Sequence, residues 1–239
     1  SRWCSCLRAN DRVGADERRR AAMCSFLVTT WIIANLTRVN FFIQRRGPDS
    51  TQVYGKNGYT FVHNLLHMTG ERVPQPFVDG DAVLMYNGEI YNSRALPPGH
   101  LHRHTYRSDG ECLLPSYLQM GPSFPKILDG EWALVLVDFE KELIVISTDV
   151  FSTKPLWFST YQGFHAASYR SALLELGVPE EHVHMADPNQ VIVMSFNAAD
   201  ITSAPRVIAR HTVHEFDLSQ FKTSTADWQR AFRNAVRTR

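Results

Sequence analysis

Residues 132–149 hold the pattern that most limits how this chain can fold. Two runs, 132–138 and 143–149, are mainly apolar, and a charged turn at 139–142 separates them. Paired runs of this length, rich in β-branched residues, are typical of a β-hairpin. Because apolar residues occupy both alternating positions, both faces of the hairpin must be covered. We therefore expect this hairpin to lie inside a layered structure.

Further strands and a few helices are predicted around this hairpin. Runs rich in β-branched and aromatic residues predict strands at 24–33, 59–68, 81–86, 163–167 and 190–196. Apolar spacing and capping residues predict helices at 34–44, 108–119, 168–176 and 225–239. Many buried strands with few helices favour stacked sheets with helical cover, which is an α+β layered domain.

Composition limits the class of protein. The chain has 239 residues, of which 44% are apolar and 21% charged, as in ordinary globular domains. A net charge of +1 gives no electrostatic reason to expect nucleic acid or a membrane as partner. The longest apolar stretch, 26–34, is too short to cross a bilayer. The four cysteines are scattered, which indicates a reducing compartment, so we expect a cytoplasmic protein.

Two groups of side chains are candidate metal ligands, and neither is favoured. His100, His102 and His104 alternate, so on a strand they would share one face. They lie in a polar loop without interleaved acidic residues, and a solvated segment is the better interpretation. Cys4 and Cys6 have no further His or Cys cluster at a suitable spacing. We therefore expect no metal site.

Asn87 and Gly88 follow the apolar run 82–85 and are candidate functional residues. Glycine has no Cβ, so another group can approach its backbone closely, and the neighbouring amide side chain is a second hydrogen-bond donor. Two donors aimed at one point can stabilise the oxyanion that forms during acyl transfer. Asn-Gly after a strand is more often a tight turn, so both interpretations stay open at this stage.

Several short motifs occur in an order and spacing that are specific as a set. The motifs are Met23-Cys24-Ser25, Arg46-Gly47-Pro48-Asp49, Gln75-Pro76, Asn87-Gly88-Glu89-Ile90-Tyr91-Asn92, Ser108-Asp109 and Lys154-Pro155-Leu156-Trp157. Over about residues 23–200 this set closely resembles the class II glutamine amidotransferase domain at the N-terminus of asparagine synthetases. The run 66–76 looks more like the divergent asparagine synthetase domain-containing proteins. The resemblance implies the four-layer αββα sandwich of N-terminal-nucleophile hydrolases.

The resemblance also implies roles for individual residues. Cys24 corresponds to a nucleophile that attacks the glutamine side-chain amide, forms a thioester and releases ammonia for asparagine biosynthesis. An N-terminal cysteine can use its own α-amino group as the base. Asn87 and Gly88 correspond to the oxyanion hole, while Gly88, Glu89 and Asp109 correspond to groups that hold the α-amino end of glutamine. No cofactor is expected on this domain, and ATP and Mg²⁺ are expected only on a synthetase domain, in cis or in trans.

The resemblance divides the chain into three parts. Residues 1–22 are predicted to be an N-terminal extension or leader, and residues 23–200 the type 2 glutamine amidotransferase domain. Residues 201–239 are predicted to be a linker and the first helix of a truncated or missing synthetase domain. Because the mechanism needs a free amine on Cys24, residues 1–23 are expected to be absent from the active form.

Position 65 departs from the pattern of the family. The resemblance implies an arginine two residues after His63, where it would pair with the carboxylate of glutamine. Leu65 stands there instead, so weaker glutamine binding is expected. Arg72 in the neighbouring loop is a candidate substitute. An alternative function is therefore a catalytically inactive amidotransferase-like module with a regulatory or interaction role.

Overall fold

The computed structural model describes residues 23–68, 71–96, 106–216 and 224–238. The predicted leader, with Cys4 and Cys6, lies outside this range, and so do His100, His102 and His104. Within these ranges no helix is long and apolar enough to cross a membrane.

Two six-stranded sheets form the body of the protein, and their strand pairs are antiparallel. The strands of the first sheet are β1 (Ser25–Thr29), β2 (Ser50–Lys56), β3 (Tyr59–Leu65), β8 (Trp157–Ser159), β9 (His165–Ala167) and β10 (His184–Met185). Those of the second are β4 (Phe77–Asp79), β5 (Ala82–Ile90), β6 (Gly130–Asp138), β7 (Leu143–Thr148), β11 (Gln190–Ser195) and β12 (Arg206–Thr212). The first sheet has the order β10-β8-β9-β1-β3-β2 and the second the order β12-β11-β7-β6-β5-β4.

The α-helices of the described residues lie between the strands in the chain or after the last strand. They are α1 (Leu36–Asn40), α2 (Leu113–Met120), α3 (Arg170–Leu176) and α4 (Ala226–Thr238). Turns of 3₁₀ helix lie at Ser93–Ala95, Asp109–Cys112, Gly121–Ile127 and Glu180–His182.

The apolar side chains form layers that define the architecture. A central layer lies between the sheets and includes Phe26 and Phe61 from the first sheet and Met85 from the second. A second layer packs α2 and its neighbouring turns against the outer face of the second sheet. A third layer packs α1 and α3 against the outer face of the first sheet. Helices therefore cover two stacked sheets, and the predicted αββα sandwich is confirmed.

The predicted hairpin is confirmed and lies at the centre of the second sheet. β6 and β7 pair directly, and β5 and β11 flank them on either side. Residues 132–137 are buried throughout, because helices cover one face of β6 and the first sheet covers the other.

The structure differs from the sequence prediction at several element boundaries. β2 was not predicted, although the Asn57-Gly58 turn that joins it to β3 has positive φ at both residues, which is a common hairpin signal. β12, which pairs with β11, was also not predicted. The helix predicted over 34–44 is regular only in α1, because the β-branched and aromatic residues of this segment are weak helix formers.

We predict that the layer between the sheets carries much of the stability. Phe61 is 0% exposed in this layer, whereas Phe42 is 53% exposed after α1. The substitution Phe61→Ala leaves a cavity and should lower the free energy of unfolding by about 3–5 kcal/mol. The matched control Phe42→Ala should lower it by about 0.5 kcal/mol or less. Urea denaturation measures both values, and similar losses in the two variants would contradict this assignment of the core.

Candidate active site

Every predicted site residue lines the same cavity, which has a volume of about 120 Å³. Cys24 comes from the start of the first sheet, Asn87, Gly88 and Glu89 come from β5 of the second, and Asp109 opens a 3₁₀ turn. The cavity therefore lies where the two sheets meet. The structure brings these residues together, and their individual roles stay predictions.

Cys24 lies immediately before β1, and its sulfur contacts the backbone that follows β3. The backbone N–H of Leu66 donates to the Cys24 Sγ at 3.3 Å, and the Sγ donates to the Leu66 carbonyl at 3.6 Å. Burial raises the pKa of the Cys24 thiol above its usual 9.0, and the negative charges of Asp109 and Asp49 add to this rise against the opposing Leu66 N–H bond. The thiol is therefore protonated at neutral pH, and a nucleophilic reaction at Cys24 needs a base.

A buried hydrogen-bond network holds the residue next to Cys24. Ser25 Oγ donates to the Ile43 carbonyl at 2.6 Å and accepts from Asn64 Nδ2 at 3.1 Å. The same Asn64 amide nitrogen donates to Asn40 Oδ1 at 2.8 Å. A Cβ on Gly47 would lie only 2.1 Å from the Asn64 carbonyl oxygen, so glycine is required there. The Arg-Gly-Pro-Asp motif thus packs closely against β3, which pairs with the strand that follows Cys24.

Asn87 and Gly88 lie inside β5 and not in a turn, so the tight-turn interpretation is wrong. β5 continues past Tyr86 to Ile90, and Asn87 and Gly88 pair with Ala133 and Trp132 of β6. A Cβ on Gly88 would lie 1.9 Å from the carbonyl oxygen of Glu131, so only glycine lets β6 approach this closely. The close approach explains why the strand can continue through Asn-Gly.

The side chain of Asn87 is buried, and its Nδ2 has no hydrogen-bond partner among the residues that the structure describes. A buried amide donor without a partner costs free energy, so such an atom commonly marks a place where a ligand or water binds. Because Asn87 lines the cavity with Cys24, this donor is available to an oxygen atom that develops charge near the thiol.

Asp109 is held in a fixed orientation at the cavity wall. Its Oδ2 accepts hydrogen bonds from the Tyr86 hydroxyl and from the Ile90 backbone N–H, each at 2.7 Å. Burial, with the neighbouring Asp109 carboxylate, raises the pKa of Tyr86 well above its ordinary value, so this hydroxyl stays a donor. A fixed carboxylate at this position can hold a cationic group of a ligand.

Acidic side chains outnumber basic ones among the described lining residues. The Asp and Glu residues of the described lining are Glu71, Glu89 and Asp109, and its Lys and Arg residues comprise Lys154 alone. The Lys154 ammonium is already paired, because its Nζ lies 2.9 Å from Glu131 Oε2. The same Nζ lies 3.3 Å from the sulfur of Met23, the residue that precedes Cys24.

The arginines of the neighbouring motifs point to other partners. Arg72 pairs with Asp49 at 3.8 Å on the surface and is not among the described residues that line the cavity, so the structure does not place it as a substitute at Leu65. Arg46 donates to the Tyr169 hydroxyl at 2.6 Å. Asp49 accepts from the His67 backbone N–H at 2.7 Å and so fixes the segment after β3. Leu65 itself lines the cavity.

His63 is buried in β3 and does not line the cavity. Burial lowers the pKa of its imidazole to about 3, so this histidine is neutral at physiological pH. Among the described residues no group of three or more His, Cys, Asp or Glu side chains can hold a metal ion.

The model of the glutamine amidotransferase domain family matches residues 23–229. The chain belongs to this family. The amidotransferase domain is 37% identical over 133 residues to a probable glutamine-hydrolysing asparagine synthetase of Schizosaccharomyces pombe. The aligned region covers 53% of this chain and 23% of that protein. It is 30% identical over 139 residues to asparagine synthetase B of Escherichia coli, with 55% of this chain and 25% of that protein covered.

Solved structures show the same fold at low sequence identity. Glutamine phosphoribosylpyrophosphate amidotransferase from Bacillus subtilis, complexed with ADP and GMP, superposes with a TM-score of 0.52 at 14% identity. The superposition covers 84% of this chain and 45% of that one. The amidotransferase domain described here spans about a quarter of the length of the curated relatives that it matches.

Gln75 and Lys154 also line the amidotransferase cavity, although the sequence patterns predicted no role for them in the site. Gln75 is buried, and its Oε1 accepts from the Tyr86 backbone N–H at 2.7 Å. Lys154 reaches the cavity because Asp149 holds the preceding loop, accepting from the backbone N–H groups of Trp132 and Phe151 at 3.1 and 2.8 Å. The sequence signal for Lys154 is its position next to Pro155, at the start of an otherwise apolar motif.

We predict that the charge of Asp109 contributes to the low reactivity of the Cys24 thiol. Thiolates and not thiols react with iodoacetamide, so alkylation of Cys24 should rise with pH and have its midpoint above the ordinary value of 9.0. The substitution Asp109→Asn removes the larger of the two carboxylate contributions while keeping an oxygen acceptor, so it should move the midpoint to lower pH.

The matched variant Asp49→Asn removes the smaller contribution and should move the midpoint less. Peptide mass spectrometry distinguishes Cys24 from the other cysteines at each pH. An unchanged midpoint in Asp109→Asn would contradict the electrostatic assignment.

Proposed function

We propose that this domain hydrolyses the side-chain amide of a glutamine substrate through Cys24. The observation that carries the proposal is the buried Nδ2 of Asn87, which has no partner in the described structure and lies in the same cavity as Cys24. A thiol that shares a cavity with a buried amide donor suits acyl transfer, because the donor can stabilise the oxyanion. Membership of the amidotransferase family supports the same reaction.

The reaction takes place in two steps. The Cys24 sulfur forms a bond to the amide carbon, and Asn87 Nδ2 with the Gly88 backbone N–H stabilises the oxyanion. The carbon–nitrogen bond then breaks, the nitrogen takes up the proton that the thiol lost, and ammonia leaves. Water hydrolyses the thioester, which gives a carboxylate on the substrate and restores the thiol. Asp109 holds the substrate ammonium group through a charge-assisted hydrogen bond.

The base in this mechanism is the α-amino group of Cys24 itself. An α-amino group has an ordinary pKa of about 7.7–8.0 and can accept the thiol proton, whereas an amide nitrogen in a peptide bond cannot. Activity therefore requires that Cys24 be the first residue. Met23, whose sulfur lies 3.3 Å from Lys154 Nζ, has to be removed.

We place the ammonia acceptor on an asparagine-synthetase-type domain, in cis or in trans. Relatives with that name support this assignment, as does the apolar stripe of α4, on which Trp228, Phe232 and Val236 are exposed. ATP and Mg²⁺ belong to that synthetase domain in this proposal, and this domain needs no cofactor. A cytoplasmic location agrees with the scattered cysteines.

A second candidate function is a binding module without catalysis. The observations that favour it are the acidic residues of the cavity wall and the raised pKa of the Cys24 thiol. Both disfavour a thiolate in this cavity. Ammonia release from glutamine that depends on Cys24 would exclude this second function.

We predict that ammonia release depends on the first residue of the chain. A chain that begins at Cys24 should release ammonia from its glutamine substrate, and the same chain with Met23 retained should not, because the base is then an amide. Asn87→Ala in the chain that begins at Cys24 should lower kcat by about 10²–10³-fold with a smaller effect on KM. A coupled glutamate dehydrogenase assay measures the ammonia.

The control for this assay is Cys24→Ala in the same shortened chain. It should bind substrate without releasing ammonia. Equal ammonia release by Cys24→Ala and by the unsubstituted chain would overturn the nucleophile assignment, and equal activity with Met23 retained would overturn the assignment of the base.

A further inference from the structure

The described lining residues of the cavity carry more carboxylates than ammonium or guanidinium groups, and this difference affects which ligand charges the cavity can accept. The described lining residues contribute the carboxylates of Glu71, Glu89 and Asp109, but their one lysine, Lys154, is paired with Glu131 at 2.9 Å. Burial raises the pKa of the Cys24 thiol, and the carboxylates of Asp109 and Asp49 raise it further. The charged side chains of the described lining residues therefore favour positive groups and disfavour negative ones.

Free glutamine carries both an ammonium and a carboxylate at neutral pH. The ammonium group suits the cavity, because the Asp109 carboxylate is fixed there by the Tyr86 hydroxyl and the Ile90 N–H. The carboxylate does not, because a partly buried carboxylate needs a cation or several donors to replace its water. Two of the described lining residues closest in the fold to Cys24, Leu65 and Leu66, have apolar side chains that supply neither a charge nor a donor.

The buried Nδ2 of Asn87 is an independent sign that the cavity takes a polar ligand. It is a neutral donor, so it suits an amide oxygen. A ligand with an ammonium group, a side-chain amide and no free carboxylate matches each of these features.

We propose that the cavity selects a glutamine residue whose α-carboxylate is amidated, as at the N-terminus of a peptide, over free glutamine. This inference rests on the proposed function, because it assigns the side-chain amide of that residue to Cys24. The reaction stays the same: water hydrolyses the side-chain amide, the amide nitrogen leaves as ammonia, and the N-terminal glutamine residue becomes glutamate. The neutral amide in place of the carboxylate removes the repulsion by the acidic wall.

Binding to the full 239-residue chain with Cys24→Ala tests this inference without turnover. Isothermal titration at pH 7 compares L-glutamine, L-glutaminamide and the dipeptide glutaminylglycine, each prepared fresh, because amidated glutamine cyclises on storage. We expect both amidated ligands to bind at least about tenfold more tightly than L-glutamine. Equal or tighter binding of L-glutamine, or no binding of any of the three, would overturn the inference.

Charge variants separate electrostatic selection from shape. Leu65→Arg adds a cation to the wall and should shift the preference towards L-glutamine, whereas the control Leu65→Met adds none and should keep the original ratio. Glu71 is exposed, so Glu71→Gln should fold, and it should narrow the preference by weakening the negative potential. An unchanged ratio in Glu71→Gln and in folded Leu65→Arg would also overturn the inference.

The outcomes also distinguish this inference from the proposed function. If the chain that begins at Cys24 releases no ammonia but the Cys24→Ala chain prefers the amidated ligands, the selectivity stands and the catalytic proposal fails. If ammonia is released from L-glutamine as efficiently as from glutaminylglycine, the catalytic proposal stands and the selectivity fails.

Discussion

The apolar layer between the two sheets is the constraint on which the site depends. Cys24 enters the cavity from the first sheet and Asn87 from the second, and no direct bond between them sets their separation. Packing of side chains such as Phe61 and Met85 across this layer fixes the position of one sheet relative to the other. The thiol and the amide donor therefore stay together only while the layer is filled.

Electrostatics then decides what the cavity can do. The thiol is buried near carboxylates, so its pKa is raised and it cannot act as a ready thiolate. In the proposed mechanism the free amine of a first residue overcomes this, because it takes the thiol proton directly. The same carboxylates favour the ammonium end of a substrate and disfavour a free carboxylate. One set of charges thus links the need for processing at Cys24 to the choice of ligand.

Much of the fold could be predicted because short-range patterns carry it. The hairpin of β6 and β7 was recognised from its apolar runs, and the four-layer sandwich was expected because the motifs around Cys24, Asn87 and Asp109 resemble those of a known family. The end of β5 was misplaced at Tyr86, because Asn-Gly is a turn signal in isolation. It continues as strand because the backbone of β6 fits against the bare Cα of Gly88.

Strand and helix patterns in the sequence by themselves determined the layered architecture, because they act over a few residues, and the resemblance of its motifs to a known family indicated Cys24 as the candidate nucleophile. Only the tertiary structure decided the charge balance of the cavity. The pairing of Lys154 with Glu131, and the lack of a partner for Asn87 Nδ2 within the described part of the chain, depend on distances between residues far apart in the sequence. The strength of such interactions depends on burial as well as distance, and a local sequence pattern predicts neither quantity.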